Sequence, residues 1–178
     1  MKRIVRRAAM LVSTIALAAC SQVSNETASE AFRPLDVGAA VPEYAALTLA
    51  GDTLRVGGTG QATVINVWAT WCTSCREEME ALDSLKSEYG ARGVRVLGVS
   101  VDQGRVEKVQ QYVETNHLGF SISHDPAGDI QRLYQVVGVP TTFVVDKNGK
   151  LVWKHTGNIT AILDEVRQSV EKAMAQGL

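Results

Sequence analysis

Cys72 and Cys75 are separated by two residues, and two thiols at this spacing could carry redox chemistry. The thiolate of one cysteine can attack a disulfide in another molecule, and the second cysteine can then attack the mixed disulfide and release that molecule in reduced form. The pair ends as a disulfide that a further reductant must reduce, and the same steps run backwards would oxidise a substrate. The spacing therefore predicts a site of thiol–disulfide exchange.

The predicted secondary structure places this pair where a strand meets a helix. Residues 63–69 form a nearly continuous apolar run, which is typical of a strand buried on both faces. Residues 73–89 carry apolar side chains at steps of three and four, which predicts one amphipathic helix that ends in the segment 90–93 with its two glycines. Unpaired N–H groups at a helix N-terminus stabilise anions, so the pKa of a thiol there can fall from about 8.5 to ~3.5–7.5. We therefore expect Cys72 to be the nucleophile and Cys75 the resolving cysteine.

Two other functions of a cysteine pair with this spacing stay open. Half of a structural zinc site has the same spacing but needs two further ligands, and the histidines show no ligand spacing. The three histidines are His117, His124 and His155. A purely structural disulfide is the second alternative, although cross-links stabilise mainly by closing longer loops. Redox activity is the favoured interpretation because the strand, the motif and the helix agree.

The N-terminal segment predicts export and attachment to a membrane. Residues 1–19 combine a basic head with an apolar run that is too short to span a bilayer, which predicts a signal peptide. The run ends in Leu-Ala-Ala-Cys20, which resembles a bacterial lipobox, so Cys20 is the expected lipidated residue. A signal-peptidase site with a cysteine nearby by chance is the alternative. The polar residues of 20–34 predict a flexible tether, and residues 35–178 are expected to form the folded domain.

The charge balance limits the partners that the mature chain can bind. Without residues 1–19, the chain has 14 basic and 19 acidic residues and a net charge of −5. Nucleic-acid binding requires clustered Lys and Arg, so no nucleic-acid partner is expected. Acylation of Cys20 would also leave the other two cysteines as a single pair.

The remaining segments predict one α/β domain with a central mixed sheet, helices on both faces and an N-terminal β-hairpin. A second buried strand is expected to lie parallel to the first, because a helix connects the two. The stretch 120–126 is expected to be a loop. The expected elements are a hairpin over 44–56, a strand at 94–101, helices at 106–116 and 129–135, a second hairpin over 141–155 and a C-terminal helix at 160–175.

Two stretches of the sequence resemble the TlpA/ResA-like group of thioredoxin-fold proteins. They are INVWATWCTSCREE, which holds both cysteines, and GVPTTFVVDKNGKLV. The resemblance covers Val41 to Met174 and implies a thioredoxin-like fold. Members of this group are typically membrane-anchored bacterial disulfide reductases, several of which serve cytochrome c maturation. The resemblance implies an enzyme without a cofactor or metal beyond its redox-active disulfide. It would take electrons from a membrane thiol carrier of the DsbD/CcdA kind and pass them to disulfides of exported proteins.

Matching positions extend the expected site beyond the two cysteines. Trp71 corresponds to the aromatic residue before the pair, and Pro140 corresponds to the cis-proline that faces the disulfide. From the sequence alone, an ordinary trans turn at Val139–Pro140 is the alternative. Val139 and Thr141 flank this proline, and in the family the backbone before it pairs with the substrate chain. Glu78 matches a glutamate of ResA-like proteins that could tune the titration of the pair or move a proton. A solvated glutamate in the first turns of the helix is the alternative.

Two residues depart from patterns found in relatives. Asn66 occupies the place of a buried aspartate that accepts a proton in ordinary thioredoxins, and an amide cannot do so. Asparagine is common there in the TlpA-like group, so Asn66 favours that group over cytoplasmic thioredoxins. Ser74 stands where many relatives have proline, which bears on the redox potential in a direction that the sequence does not give.

Two alternatives to a reductase and the choice of membrane stay open. A thiol oxidase would use the same groups at the opposite potential. A thioredoxin-fold copper chaperone would present two thiolates and a histidine to the metal, although such chaperones usually space their cysteines as C-x-x-x-C. The lipobox implies the bacterial periplasm. Ser21 favours the outer membrane by the enterobacterial sorting rule, whereas the expected electron donor belongs to the inner membrane.

Overall fold

The computed structural model describes residues 35–176. The predicted signal peptide 1–19, the lipidation of Cys20 and the tether 20–34 lie outside the described residues and stay predictions. Among the residues that are described, none of the helices has the length and apolar character needed to cross a bilayer.

Strands and helices alternate along most of the described part of the chain. The strands are β1 (Tyr44–Leu47), β2 (Thr53–Val56), β3 (Thr63–Trp68), β4 (Arg95–Ser100), β5 (Ser121–His124), β6 (Thr141–Val145) and β7 (Leu151–Thr156). The α-helices are α1 (Thr73–Glu77), α2 (Met79–Tyr89), α3 (Glu107–Thr115), α4 (Asp129–Leu133) and α5 (Leu163–Ala175). Short 3₁₀ helices at Gly90–Arg92 and Thr160–Ile162 follow α2 and precede α5.

Five of the strands form one mixed sheet in the order β5-β4-β3-β6-β7. β3 pairs in parallel with β4 and antiparallel with β6, so it is the central strand. All six of its residues are buried, as its apolar run predicts. β1 and β2 pair only with each other as an antiparallel hairpin, which reaches the sheet where the Leu49 N–H donates to the Ile122 carbonyl of β5. The predicted thioredoxin-like fold, with its mixed sheet and N-terminal hairpin, is confirmed.

The hydrophobic core lies against the central strand and connects the sheet to the helices. Leu82 and Leu85 of α2 are fully buried, three residues apart, as expected for one face of an amphipathic helix. Tyr134 packs edge-on against Phe143 of β6 with ring centroids 5.3 Å apart. Each fully buried side chain of this size contributes about 1.5–3 kcal/mol through removal of apolar surface from water. These side chains and the apolar residues of β3 belong to one buried core.

The predicted helix over 73–89 is wrong in one respect, because the chain forms two helices there. α1 ends and α2 begins at Glu78, whose backbone has φ −96° and ψ −1°. The Glu78 side chain points into the protein and accepts hydrogen bonds from β3 and from the loop after β7. The apolar spacing continues across this break, so helical periodicity alone could not reveal it.

The predicted loop over 120–126 is also wrong, since it contains the edge strand β5. β5 has only four residues and pairs in parallel with β4. Its residues alternate between serine and larger side chains, and only its two central residues are buried. Such a short pattern gives little signal in the sequence, and the strand forms because β4 offers an unpaired edge.

Candidate active site

Cys72 and Cys75 form a disulfide at the start of α1, with their Cα atoms 5.2 Å apart. Cys72 is the N-cap residue of this helix, and its Sγ atom accepts a hydrogen bond from the Cys75 N–H at 3.2 Å. Cys72 is 6% exposed, whereas Cys75 is completely buried. A disulfide in another protein can therefore reach Cys72 first, and Cys75 can react only with a partner already bound at Cys72. This difference in exposure agrees with the predicted roles of Cys72 as nucleophile and Cys75 as resolving cysteine, and these roles stay predictions.

The loop before β6 lies beside the disulfide. The Val139–Pro140 peptide bond is cis, and the Val139 carbonyl oxygen lies 3.7 Å from the Sγ atom of Cys72. Thr141 begins β6, and its hydroxyl donates to the Gly138 carbonyl at 2.7 Å, which closes the loop. The structure thus brings the predicted proline loop to the reactive sulfur.

Trp71 is the exposed apolar side chain next to the disulfide. It directly precedes Cys72, and 61% of its surface is open to solvent. Val137, two residues before Val139, is 72% exposed. Single exposed apolar side chains are common on protein surfaces, so it is the place of Trp71 beside Cys72 and of Val137 beside the proline loop that makes both candidate contacts for a bound polypeptide. Val137 was missed in the sequence analysis, because nothing in its sequence context distinguishes it from a core valine.

Glu78 lies one turn after Cys75 and is fully buried, so the alternative of a solvated glutamate is wrong. Its Oε1 atom accepts a hydrogen bond from the Asn66 side-chain amide at 2.7 Å, and its Oε2 atom accepts one from the Ile159 N–H at 2.8 Å. Burial raises the pKa of Glu78 to about 7, although both hydrogen bonds oppose this rise. A carboxyl group with this pKa can gain or lose a proton at neutral pH.

Asn66 of β3 positions the Glu78 carboxylate. The Asn66 Nδ2 atom donates to Glu78 and also to the Thr142 hydroxyl of β6, at 2.9 Å. The Oδ1 atom of Asn66 is buried and has no hydrogen-bond partner among the described residues. Asn66 therefore supplies a donor to the carboxylate, a role that differs from the proton acceptor found at this place in thioredoxins.

Asp102, two residues beyond the end of β4, holds the turn that leads into the cysteine pair. It is 1% exposed, and its carboxylate accepts hydrogen bonds from the Thr70 N–H at 2.8 Å, the Thr70 hydroxyl at 2.5 Å and the Ser100 hydroxyl at 2.8 Å. Burial raises the pKa of Asp102, but these bonds and the Lys108 ammonium outweigh burial, so the pKa is lowered overall. Asp102 is not among the site residues predicted from the sequence. A polar residue just after a buried parallel strand is the signal that could have found it.

Asp102→Asn is expected to lower the free energy of unfolding by about 2 kcal/mol at pH 7, because an amide leaves one buried donor without an acceptor. Because the pKa of Asp102 is lower in the folded protein than in the unfolded protein, its ionised form stabilises the fold at pH values above the ordinary pKa of an aspartate. This stabilisation is lost as the pH falls through the pKa of the folded state. The difference between the variant and the wild type should therefore shrink at acid pH. Urea unfolding of both proteins at pH 7 and pH 3 measures this difference in the free energy of unfolding. Asp52→Asn, which removes an exposed carboxylate, should show no such difference.

The histidines that could complete a metal site lie in other contacts. His124 places its Nε2 atom 2.9 Å from the Asp102 carbonyl oxygen. His155 stacks on Trp153 with ring centroids 5.8 Å apart. In residues 35–176, no cluster of three or more His, Cys, Asp or Glu side chains could hold a metal ion.

Comparisons with known proteins relate this site to a defined group of enzymes. Residues 37–154 match the AhpC/TSA family. The thiol-disulfide oxidoreductase ResA of Geobacillus kaustophilus is 30% identical over 160 residues, which is 89% of this chain and 90% of that protein. The ResA of Oceanobacillus iheyensis is 30% identical over 92 residues, which is 52% of this chain and 47% of that protein, so the chain matches about half of its length.

Solved structures show the same architecture. A crystal structure from Chlorobium tepidum, assigned as thiol:disulfide interchange protein DsbE, superimposes with a TM-score of 0.71 and 29% identity. The similarity covers 78% of this chain and 98% of that chain. StoA of Bacillus subtilis superimposes with a TM-score of 0.64 at 22% identity, over 74% of this chain and 98% of that chain, and supports the fold alone.

Proposed function

This chain belongs to the AhpC/TSA family and is a thioredoxin-fold thiol–disulfide oxidoreductase, and on that basis we propose that it reduces disulfides in exported bacterial proteins. The observation that carries the proposal is the burial order of the pair: Cys72 is 6% exposed, whereas Cys75 is completely buried. A substrate can then be attacked by one sulfur and released by the other. Such a pair acts as a two-electron carrier.

The proposed cycle starts from the reduced enzyme. The Cys72 thiolate attacks one sulfur of a substrate disulfide, so a mixed disulfide forms and the other substrate sulfur leaves as a thiolate that takes up a proton. Cys75 then loses its proton and attacks the Sγ atom of Cys72. The enzyme disulfide forms, and the second substrate sulfur leaves and is protonated. Two electrons pass from the enzyme to the substrate, and the disulfide in the structure is the oxidised end of this cycle.

Glu78 is the proposed acceptor of the Cys75 proton. Both residues are fully buried and lie three positions apart, which places them on one side of the helical turn. Water has little access to Cys75, so its thiol needs a nearby base to become a nucleophile. The pKa of Glu78, raised by burial to about 7, suits this exchange at neutral pH.

The substrate chain is proposed to lie across the surface formed by Trp71 and the proline loop. Val139, which is half-buried beside Cys72, would pair through its backbone with an extended segment of the substrate, and Pro140 and Thr141 fix the geometry of this loop. Recognition through backbone pairing accepts many sequences. Cysteine pairs awaiting haem attachment in cytochrome c maturation are the substrate that the resemblance to ResA favours.

The proposed setting is the bacterial periplasm, with the chain attached to a membrane through lipidated Cys20. This part rests on the predicted signal peptide and lipobox of the sequence. The oxidised pair must be reduced before another cycle, and a membrane thiol carrier of the DsbD/CcdA kind is the proposed electron donor. A tether of about 13 residues would allow the domain to reach roughly 20 Å from its anchor.

The reduction potential of the Cys72–Cys75 pair tests the direction of the reaction. The purified chain is equilibrated in glutathione and dithiothreitol buffers, and the reduced fraction is counted by thiol alkylation and mass spectrometry. A reductase should give a value near that of thioredoxin, about −270 mV. A value near that of DsbA, about −120 mV, would instead make the protein an oxidase. If no disulfide formed in any buffer, redox function would be excluded.

A further inference from the structure

Three consecutive residues after β7 each contact a different part of the redox site. They form the segment 157–159, which connects β7 to the 3₁₀ helix before α5. The three hydrogen bonds run from the Gly157 N–H to the Pro140 carbonyl (2.9 Å), from the Asn158 Nδ2 atom to the Ser74 carbonyl (3.1 Å) and from the Ile159 N–H to the Glu78 carboxylate (2.8 Å). One short loop therefore holds the proline loop, the residues between the cysteines and the buried carboxylate relative to one another.

The backbone of this loop aims the Asn158 side chain at α1. Gly157 has φ +126°, a conformation that other residues rarely adopt, and a Cβ atom there would lie 3.2 Å from the His155 Nε2 atom. The Oδ1 atom of Asn158 accepts the Thr160 N–H at 2.8 Å. Because this N–H must meet an oxygen, the amide nitrogen must face the Ser74 carbonyl. The orientation of the amide is thus fixed from both ends.

We propose that Asn158 is a positioning residue of the redox site, which holds the Ser74 backbone and thereby stabilises the thiolate of Cys72. Asn158 does not touch either sulfur and acts through Ser74, whose hydroxyl lies 3.5 Å from the Cys72 Sγ atom. A hydrogen bond to a thiolate favours the charged form, so displacement of Ser74 would remove part of that support. The inference rests on the proposed redox function and adds the residue that holds its reactive turn in place.

Two substitutions separate the hydrogen bond to Ser74 from the rest of the loop. Asn158→Asp keeps an oxygen for the Thr160 N–H but replaces the donor toward Ser74 with a negative charge. Asn158→Ala removes both hydrogen bonds without adding charge. Asn148→Asp is the matched control, because Asn148 also donates to a backbone carbonyl, that of Gln176 at 3.3 Å, and lies in the β6–β7 turn at the far end of β6 from Pro140.

The test is the pH dependence of Cys72 alkylation by iodoacetamide in the reduced full chain. Below the pKa of the thiol, Asn158→Asp should slow alkylation about tenfold, because a nearby carboxylate opposes a thiolate. Asn158→Ala should slow it about threefold, and Asn148→Asp should match the wild type. Glu78, the buried acid of this cluster, titrates in the same range, so every variant is compared with the wild type at each pH.

The equilibrium constant with glutathione gives a second readout. A less stable thiolate favours the disulfide, so Asn158→Asp should shift this constant about tenfold toward the oxidised pair, which is about 30 mV. Circular dichroism checks that each variant is folded. If both Asn158 variants kept the wild-type alkylation profile and equilibrium constant, the role of Asn158 would be refuted. If the wild type itself formed no Cys72–Cys75 disulfide in these buffers, the proposed function would be the part that fails.

Discussion

Cys72→Ser should abolish disulfide reductase turnover, with a loss on the order of 10³-fold or more. Of the two cysteines in the disulfide, only Cys72 has any surface open to solvent, so Cys75 cannot attack a substrate in its place. A serine hydroxyl is not ionised near neutral pH and cannot form a disulfide. Turnover is measured with a disulfide-containing peptide and dithiothreitol as reductant, with subtraction of the reaction without enzyme.

Cys75→Ser should block the cycle at a different step. The Cys72 thiolate can still attack the peptide, but no second sulfur remains to release it. We expect a mixed disulfide to accumulate, visible by mass spectrometry under non-reducing conditions as enzyme plus peptide. Cys72→Ser should form no such adduct at Cys75, because Cys75 is completely buried.

Cys20→Ser is the control for both cysteine variants, since Cys20 is the predicted lipidation site and should not affect turnover of the purified chain. Equal amounts of adduct in Cys72→Ser and Cys75→Ser would contradict the assigned order of attack. Full turnover of Cys72→Ser would contradict the redox function itself.

The fold and the cysteine pair could be predicted because their signals are local. Each of these signals lies within a short run of consecutive residues. They are the buried strand β3, the spacing of Cys72 and Cys75, and the apolar stripe of α2. Helical and strand periodicities report such patterns directly. Elements that form only through pairing with a distant segment leave a weak signal in the sequence. The short edge strand β5 is one of them, and the prediction of a loop there is wrong.

The groups that position the site could not be predicted, because their roles come from contacts between distant parts of the chain. Asp102 binds Thr70 across 32 positions, and Asn158 binds Ser74 across 84 positions. Asp102 gives only the general signal of a polar residue just after a buried parallel strand, and Asn158 belongs to no pattern that a scan of neighbouring residues can detect. Both lie at the ends of sheet strands, where loops meet beside the cysteine pair.

Glu78 shows why burial could not be assigned from sequence. Its neighbours Glu77 and Glu80 are exposed, and three acidic residues within four positions indicate a solvated helix surface. The structure buries Glu78 alone, because Asn66 and Ile159 supply donors to both of its carboxylate oxygens. Those donors come from β3 and from the loop after β7, which the sequence does not place near α1.

The burial of Glu78 should make the oxidised protein less stable as pH rises. The pKa is raised from 4.5 to about 7 in the folded protein, so the folded state binds the proton more tightly than the unfolded state does. The contribution of the protonated Glu78 side chain to the stability of the fold is fully present below pH 4.5 and is lost as pH rises through 7. We expect this group to lower the free energy of unfolding by about 3 kcal/mol between pH 4.5 and pH 8.

Glu78→Gln should remove this pH dependence, because an amide does not titrate. Glutamine keeps an oxygen for the Ile159 N–H, and rotation of the Asn66 amide would let the currently unpartnered Oδ1 atom accept from the new amide nitrogen, so we expect the variant to fold. Urea unfolding of the oxidised proteins at pH 5, 6, 7 and 8 measures the slope, and Glu77→Gln is the matched control that should keep the wild-type slope. Because the wild type and Glu78→Gln then differ at this one titrating group, equal slopes would mean that folding does not raise the pKa of Glu78. Its carboxylate would then be too weak a base to take the proton of Cys75 efficiently, and the resolving step would need another base.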